Sequence, residues 1–207
     1  MPEWYKNTNS YINGKTKKID SVVGNASTIK KCMPVTDMLT TGYILKTYQD
    51  INVSKDENGI ISYTSAMINI ESHDAIQFFL HPINKNNQPA PKIINPWSIK
   101  TPKGYSCLII PPTHKENKYF SILEGVVDTD KYSSPINFPF VLNDVNFQGI
   151  IPAGTPMALV IPFKRENWNM KKGNEKNMKE SRNVQILLSS LFFDRYKNLF
   201  WSPKRYK

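Results

Sequence analysis

From Met33 to Phe163 the apolar residues come in short runs broken by Pro, Gly and Asn. TGYILKTYQDINV, GIISYTSAMINIES, AIQFFLHPI, WSIKTP, YSCLIIPP, YFSILEGVVD, INFPFVL and QGIIPAGTPMALVIPF follow one another at the spacing of strands in a sandwich or barrel. Period-two alternation appears around Val53 and across Ile60–Met67, the mark of strands with one buried face. Met157–Ile161 is continuously apolar and predicts a strand buried on both faces. Proline removes a ladder donor and belongs at strand starts and edges. Pro102, Pro111, Pro152 and Pro156 each flank an apolar run, as that rule requires. No long amphipathic helix fits between residues 33 and 163, which argues against a parallel α/β fold. The expected class is mainly β: a compact barrel or sandwich spanning residues 32–163.

The flanks differ in period and polarity. Residues 1–31 are rich in Asn, Lys, Ser and Thr and predict an extended basic arm. Trp4, Tyr5 and Tyr11 could anchor it on a neighbour or on this chain's own body. Residues 164–180 form a polar linker. Over residues 181–207, Val184, Leu187, Leu188, Leu191, Phe192, Tyr196 and Leu199 recur at spacings of three and four, the stripe of an amphipathic helix. Lys197, Lys204, Arg205 and Lys207 place positive charge at or beyond its end, where the helix dipole favours cations, and Pro203 stops it. That stripe needs an apolar partner, either the β-body or another protein surface.

Composition bounds the rest. A chain of 207 residues with 40% hydrophobic residues holds one core-bearing domain plus appendages. No run of about 18 apolar residues exists to span a bilayer, and the first residues lack the apolar stretch of a secretory signal. Cys32 and Cys107 lie far apart in apolar surroundings and are expected as buried free thiols. The net charge of +10 sits at the ends: residues 1–31 carry a net +4, residues 164–207 a net +8, and residues 32–163 a net −2. Basic ends on a slightly acidic body suggest electrostatic docking on nucleic acid or an acidic protein surface.

Candidate chemistry centres on Gly125-Val126-Val127-Asp128-Thr129-Asp130 and Tyr132. A carboxylate leaving a strand at Asp128 could act as a general base, and with Asp130 could hold Mg²⁺ through water. The alternative is that both side chains cap the following turn. His73, His81 and His114 show no helical pairing and read as surface or satisfied histidines rather than a metal site. Cys107 reads as core, and Tyr105 and Trp97 as core aromatics before base-stacking ones.

The Gly125–Asp130 segment is similar to the G-[LVI]-[IV]-D-x-D segment of trimeric dUTPases and dCTP deaminases. Gly154-Thr155-Pro156-Met157-Ala158 resembles the G-x-x-x-A segment of that family, and Thr101–Tyr105 with Pro111-Pro112 resembles its upstream region. The likeness covers roughly residues 95–163 and extends to Gly42-Tyr43. It implies a β-clip fold, a homotrimer, Asp128 as catalytic base, Asp130 and Tyr132 as ligand-binding residues, and Mg²⁺ if the hydrolase chemistry holds. The pattern departs in four places, one of them the missing glutamate-alanine pattern of dCTP deaminases. Pro112-Thr113-His114-Lys115 stands where the phosphate-gripping Ser-Gly pair is expected, Lys131 displaces the tyrosine to Tyr132, and the glycine-rich C-terminal arm is missing.

The layout also resembles an uncharacterised family of proteins from tailed bacteriophages and aquatic viruses. Lys31–Pro34, Thr41–Ile44, Ile94–Trp97, Gly125–Tyr132 and Ile151–Phe163 carry that likeness. It implies viral origin, in the host cytoplasm or the virion. The expectation is a non-catalytic viral protein that binds or assembles, with no resident cofactor and no metal. A dUTPase-like nucleotide hydrolase or binder and a nucleic-acid-binding protein acting through its basic ends are the alternatives.

Overall fold

The computed structural model describes residues 1–11, 27–67, 70–78, 80–81, 90–114, 117–189 and 195–204. Among these the chain is mainly β, with eleven strands in three antiparallel sheets. It forms two compact units, one of Gly42–Arg165 and one of Met1–Thr41 with Glu166–Lys207.

Among the described residues the first unit holds every strand. One sheet has the order β1 (Tyr43–Lys46), β11 (Pro156–Lys164), β6 (Tyr105–Ile110), β8 (Gly125–Val127). The second runs β10 (Gly149–Ile151), β2 (Ile51–Lys55), β3 (Ile61–Thr64). The third runs β4 (Ile70–His73), β5 (Ala90–Ile94), β9 (Asn137–Leu142), β7 (Phe120–Ile122).

All three sheets feed one core. Ile51, Val53 and Ile151 enter it from the second sheet, Ile93, Phe120, Ile122, Phe138 and Phe140 from the third, and Cys107, Ile109, Met157, Ala158 and Val160 from the first. Alternation makes this possible: β2 buries Ile51 and Val53 while Asn52 and Ser54 face outward. Central β11 buries Met157–Val160 in succession, as expected of a doubly covered strand, while Ile161, the last residue of the expected run, is half-buried.

Three prolines sit inside strands rather than at their ends: Pro91 in β5, Pro139 in β9 and Pro162 in β11. Pro139 lies in β9 one residue beyond the last pair of the β7 ladder, where its carbonyl still accepts from Leu123 N (2.9 Å). Pro162 pairs with Cys107 of β6 but lies past the β1 ladder, which ends at Val160. Gly42 precedes β1 at φ +70, and a Cβ there would run into the Val160 carbonyl oxygen; only glycine fits.

In the second unit, α1 (Glu3–Asn7) is a short helix where an extended arm was expected; residues 12–26 of that arm lie outside the described residues. Tyr5 is buried, and its hydroxyl bonds Thr36 Oγ1 (2.5 Å) on α2 (Met33–Thr40), so the arm anchors on this chain. Trp201 Nε1 donates to both Asp37 oxygens (3.1 and 3.0 Å), and Lys204 Nζ pairs with Asp37 at 2.6 Å. Helix α3 (Glu175–Ser189) starts inside the expected linker, and α4 (Arg195–Leu199) is a separate short helix. The earlier start has a local cause. Asn174 Oδ1 accepts from Asn177 N (3.2 Å) and Asn177 Oδ1 from Asn174 N (3.0 Å), a reciprocal cap ahead of Glu175, Lys176, Lys179 and Glu180. Leu191 and Phe192 of the expected stripe lie outside the described residues, while Leu187 and Leu188 are exposed.

Candidate functional site

Asp128 and Asp130 leave the C-terminal end of β8 and converge on Arg165, just past β11. The register explains the meeting. Cys107 pairs with Val127, and Tyr105 with Lys164, so residue 165 falls beside Gly104 and residue 128 beside Ser106. Arg165 N donates to the Gly104 carbonyl at 2.8 Å. Its guanidinium then forks onto Asp130, with Nη1–Oδ1 at 2.8 Å and Nη2–Oδ2 at 2.5 Å. Gly104 N, at φ +87, donates to Asp130 Oδ2 at 2.8 Å. Nη1 also reaches the Tyr105 carbonyl and Ser106 Oγ, both at 2.9 Å.

The two carboxylates differ in exposure. The Asp130 side chain is 3% exposed and that of Asp128 is 50% exposed. Asp128 Oδ1 accepts from Ser106 Oγ at 2.7 Å and lies 3.1 Å from Arg165 Nη1. The Arg165 fork and then the Gly104 N–H hold the Asp130 carboxyl far below the usual carboxylate range. The Ser106 hydroxyl holds Asp128 below its usual value, with the charges of Arg165 and Lys131 adding to it. Asp130 in turn raises Arg165. Beneath the cluster, buried Thr129 links Thr101 Oγ1 (2.7 Å) and Cys107 Sγ (3.3 Å).

The predicted turn caps are therefore replaced by longer-range bonds: both carboxylates reach back to residues 104–106 and across to Arg165. It is the Asp128 backbone carbonyl that accepts from Lys131 N and Tyr132 N, each at 2.9 Å. Tyr132 sits on the same turn, 46% exposed, but its hydroxyl donates to the Pro135 carbonyl (3.4 Å) and stands apart from the carboxylates. Asp128 is thus an ionised, accessible acceptor with an adjacent hydroxyl. Its lowered pKa makes it a weaker base than a free aspartate. Asp130 spends both oxygens on Arg165 and Gly104. Among the described residues no group of three or more His, Cys, Asp or Glu is placed to hold a metal ion.

The other candidates fall elsewhere. His73 Nδ1 bonds Gln77 Oε1 (2.6 Å), and the Phe78 ring lies 5.6 Å from His73 and 6.0 Å from His81. His114 takes a left-handed backbone at φ 54. Cys107 is fully buried, as expected, whereas Cys32 is half-buried, and both are free. Trp97, expected in the core, is 56% exposed and meets Tyr48 edge-on at 6.3 Å.

Arg165, Ser106 and Gly104 carry the cluster and escaped the sequence reading. Arg165 opens a polar stretch that resembles a linker, and its partners lie 35 and about 60 residues away. The usable signal was arginine immediately after a long buried strand, in antiparallel register with a strand flanked by aspartates. No family model, no curated protein and no solved structure matches this chain.

Proposed function

We propose that this protein is a non-catalytic binding protein that docks on nucleic acid through a basic unit built from its two ends. The observation that carries the reading is the gathering of both ends into one compact unit. Its segments hold sixteen Lys and Arg against seven Asp and Glu, a net of +9 in a chain of +10. A charge concentrated on one unit is the electrostatic footprint of a polyanion binder. On and before α3, Lys171, Lys172, Lys176, Lys179 and Arg182 are all exposed. Lys30 and Lys31 lie over the rings of Tyr5 (5.7 Å) and Tyr11 (4.9 Å). Fluorescence anisotropy of a labelled 30-base-pair DNA duplex and of its single strand tests this. Binding should weaken steeply between about 50 and 200 mM salt. Lys176→Glu/Lys179→Glu/Arg182→Glu should cost about tenfold or more and flatten the salt slope. No binding of either probe at low salt refutes the proposal.

Self-assembly of the β-body, as a trimer in the viral setting the layout resembles, extends the same reading. Val126, Leu108 and Ile161 form one row across β8, β6 and β11, and Val126 is 60% exposed. Light scattering should give three times the chain mass, and a monomer at micromolar concentration removes this part.

A second reading, a dUTPase-like hydrolase, is favoured by Asp128 being half-exposed beside Ser106. Incubation with dUTP and dCTP in Mg²⁺ tests it, and Asp128→Asn should abolish any turnover. No turnover and no thermal shift discards it.

A further inference from the structure

The second sheet carries an open groove that belongs neither to the aspartate cluster nor to the basic unit. Ile150, Asn52 and Thr64 stand in one row across β10, β2 and β3, because Ile150 pairs with Asn52 and Asn52 with Thr64. Their strand neighbours Ile51, Val53 and Ile151 point the other way, into the core. All three row residues face solvent, and Tyr48 also lines the groove. Gln49, Asp50, Ser65, Ala66 and Ala153 complete a hollow of about 540 Å³.

The walls are held in place. Asp50 Oδ1 accepts from Ala153 N at 2.7 Å, tying the loop before β2 to the turn after β10. Gln49 Oε1 accepts from Met67 N at 2.8 Å, which points its amide NH₂ away from that bond, and Ser65 Oγ donates to the Asp50 carbonyl at 2.8 Å. Tyr48, 51% exposed, is braced edge-on by Trp97. The groove thus offers a fixed aromatic face, an aliphatic patch at Ile150, Ala153 and Ala66, and amide, hydroxyl and carboxylate groups between them.

That combination selects a ligand class. Asp50 is the charged residue among the described residues of the lining, and no Lys or Arg joins it, so phosphates and other anions are repelled. An apolar ligand would cover the side chains of Asn52 and Thr64 and the second Asp50 oxygen without offering them hydrogen bonds. A molecule with one C–H face and a rim of hydroxyls satisfies both halves: the C–H face lies on the Tyr48 ring, and the hydroxyls meet groups that both donate and accept. We infer that this groove binds a neutral saccharide.

Saturation-transfer NMR on the full chain tests the inference. The probes are methyl glucoside, methyl galactoside, methyl mannoside and N-acetylglucosamine with their trisaccharides, and uracil as an uncharged non-saccharide. Saturation of at least one saccharide is expected at low-millimolar concentration. It should fall about tenfold or more in Tyr48→Ala and in Asn52→Leu, both at exposed positions, and stay unchanged between about 50 and 500 mM NaCl. Lys176→Glu, which weakens the proposed nucleic-acid docking, should leave it intact, so the two readings fail separately. No saccharide signal, a signal that survives both groove variants, or a signal from uracil alone overturns the inference.

Discussion

Phe140→Ala tests the core that holds the aspartate cluster and the groove. Phe140 is fully buried in β9, where its ring meets Tyr63 of β3 edge-on at 5.3 Å and Phe120 of β7 at 5.2 Å. It therefore bridges the second and third sheets. Full burial of such a side chain is worth about 1.5–3 kcal/mol. Each aromatic pair adds about 0.5–1.5 kcal/mol beyond burial. Truncation also leaves a cavity walled by two sheets that share a core and cannot collapse independently, so the loss should fall at about 4 kcal/mol, inside the usual range for Phe→Ala. With a urea slope of about 2 kcal/mol/M, the unfolding midpoint should drop by about 2 M. Far-UV circular dichroism against urea measures it. Phe140→Leu should recover more than half of the loss, because it refills most of the space. Phe163→Ala, at a 38% exposed site of β11, should move the midpoint by less than about 0.5 M. If Phe140→Ala lies within about 1 kcal/mol of the native protein, the two sheets do not share the core described here.

Three further outcomes follow from the geometry. The folded-state pKa of Asp130 is depressed, so its stabilisation is complete above the ordinary aspartate pKa and is lost as pH falls toward and through the folded value; thermal melts from pH 7 downward should show a steep acid limb that Asp130→Asn flattens, and equal acid slopes would contradict the Arg165 fork. Gly42→Ala should cost about 2 kcal/mol or more, from the left-handed backbone and the collision with the Val160 carbonyl; unchanged denaturant midpoints would show that β1 does not approach β11 there. Asp37→Ala removes the acceptor of Trp201 and Lys204, and should speed tryptic cleavage near the C-terminus; an unchanged digestion rate would mean that the segment is held by other contacts.

Much of the β-body was legible in the chain. Burial with period two is written residue by residue, so the alternation around Val53 declared the inner face of β2, and the unbroken Met157–Ile161 declared a strand covered on both sides over Met157–Val160. The acidic turn after β8 was visible for the same reason, since short-range bonds from Lys131 N and Tyr132 N shape it. The exposed Trp97 was not. An aromatic beside a proline carries no local mark of which side of the sheet its loop will take.

Sequence by itself determined where most of the strands lie, which of their faces are apolar, and that positive charge belongs to the two ends; it passed over β5, and the run read as a strand at AIQFFLHPI holds a 3-10 turn at Ala75–Phe78 instead. Tertiary structure decided what those pieces meet. Asp130 finds Arg165 because two ladders, β6 with β8 and β6 with β11, are in a particular register. Both ends of the chain enter one unit because Tyr5 reaches Thr36, and Trp201 and Lys204 reach Asp37. Such contacts join residues from 31 to 167 positions apart. No periodicity encodes a partner at that distance, because it is the folded backbone that brings the two groups within hydrogen-bond range.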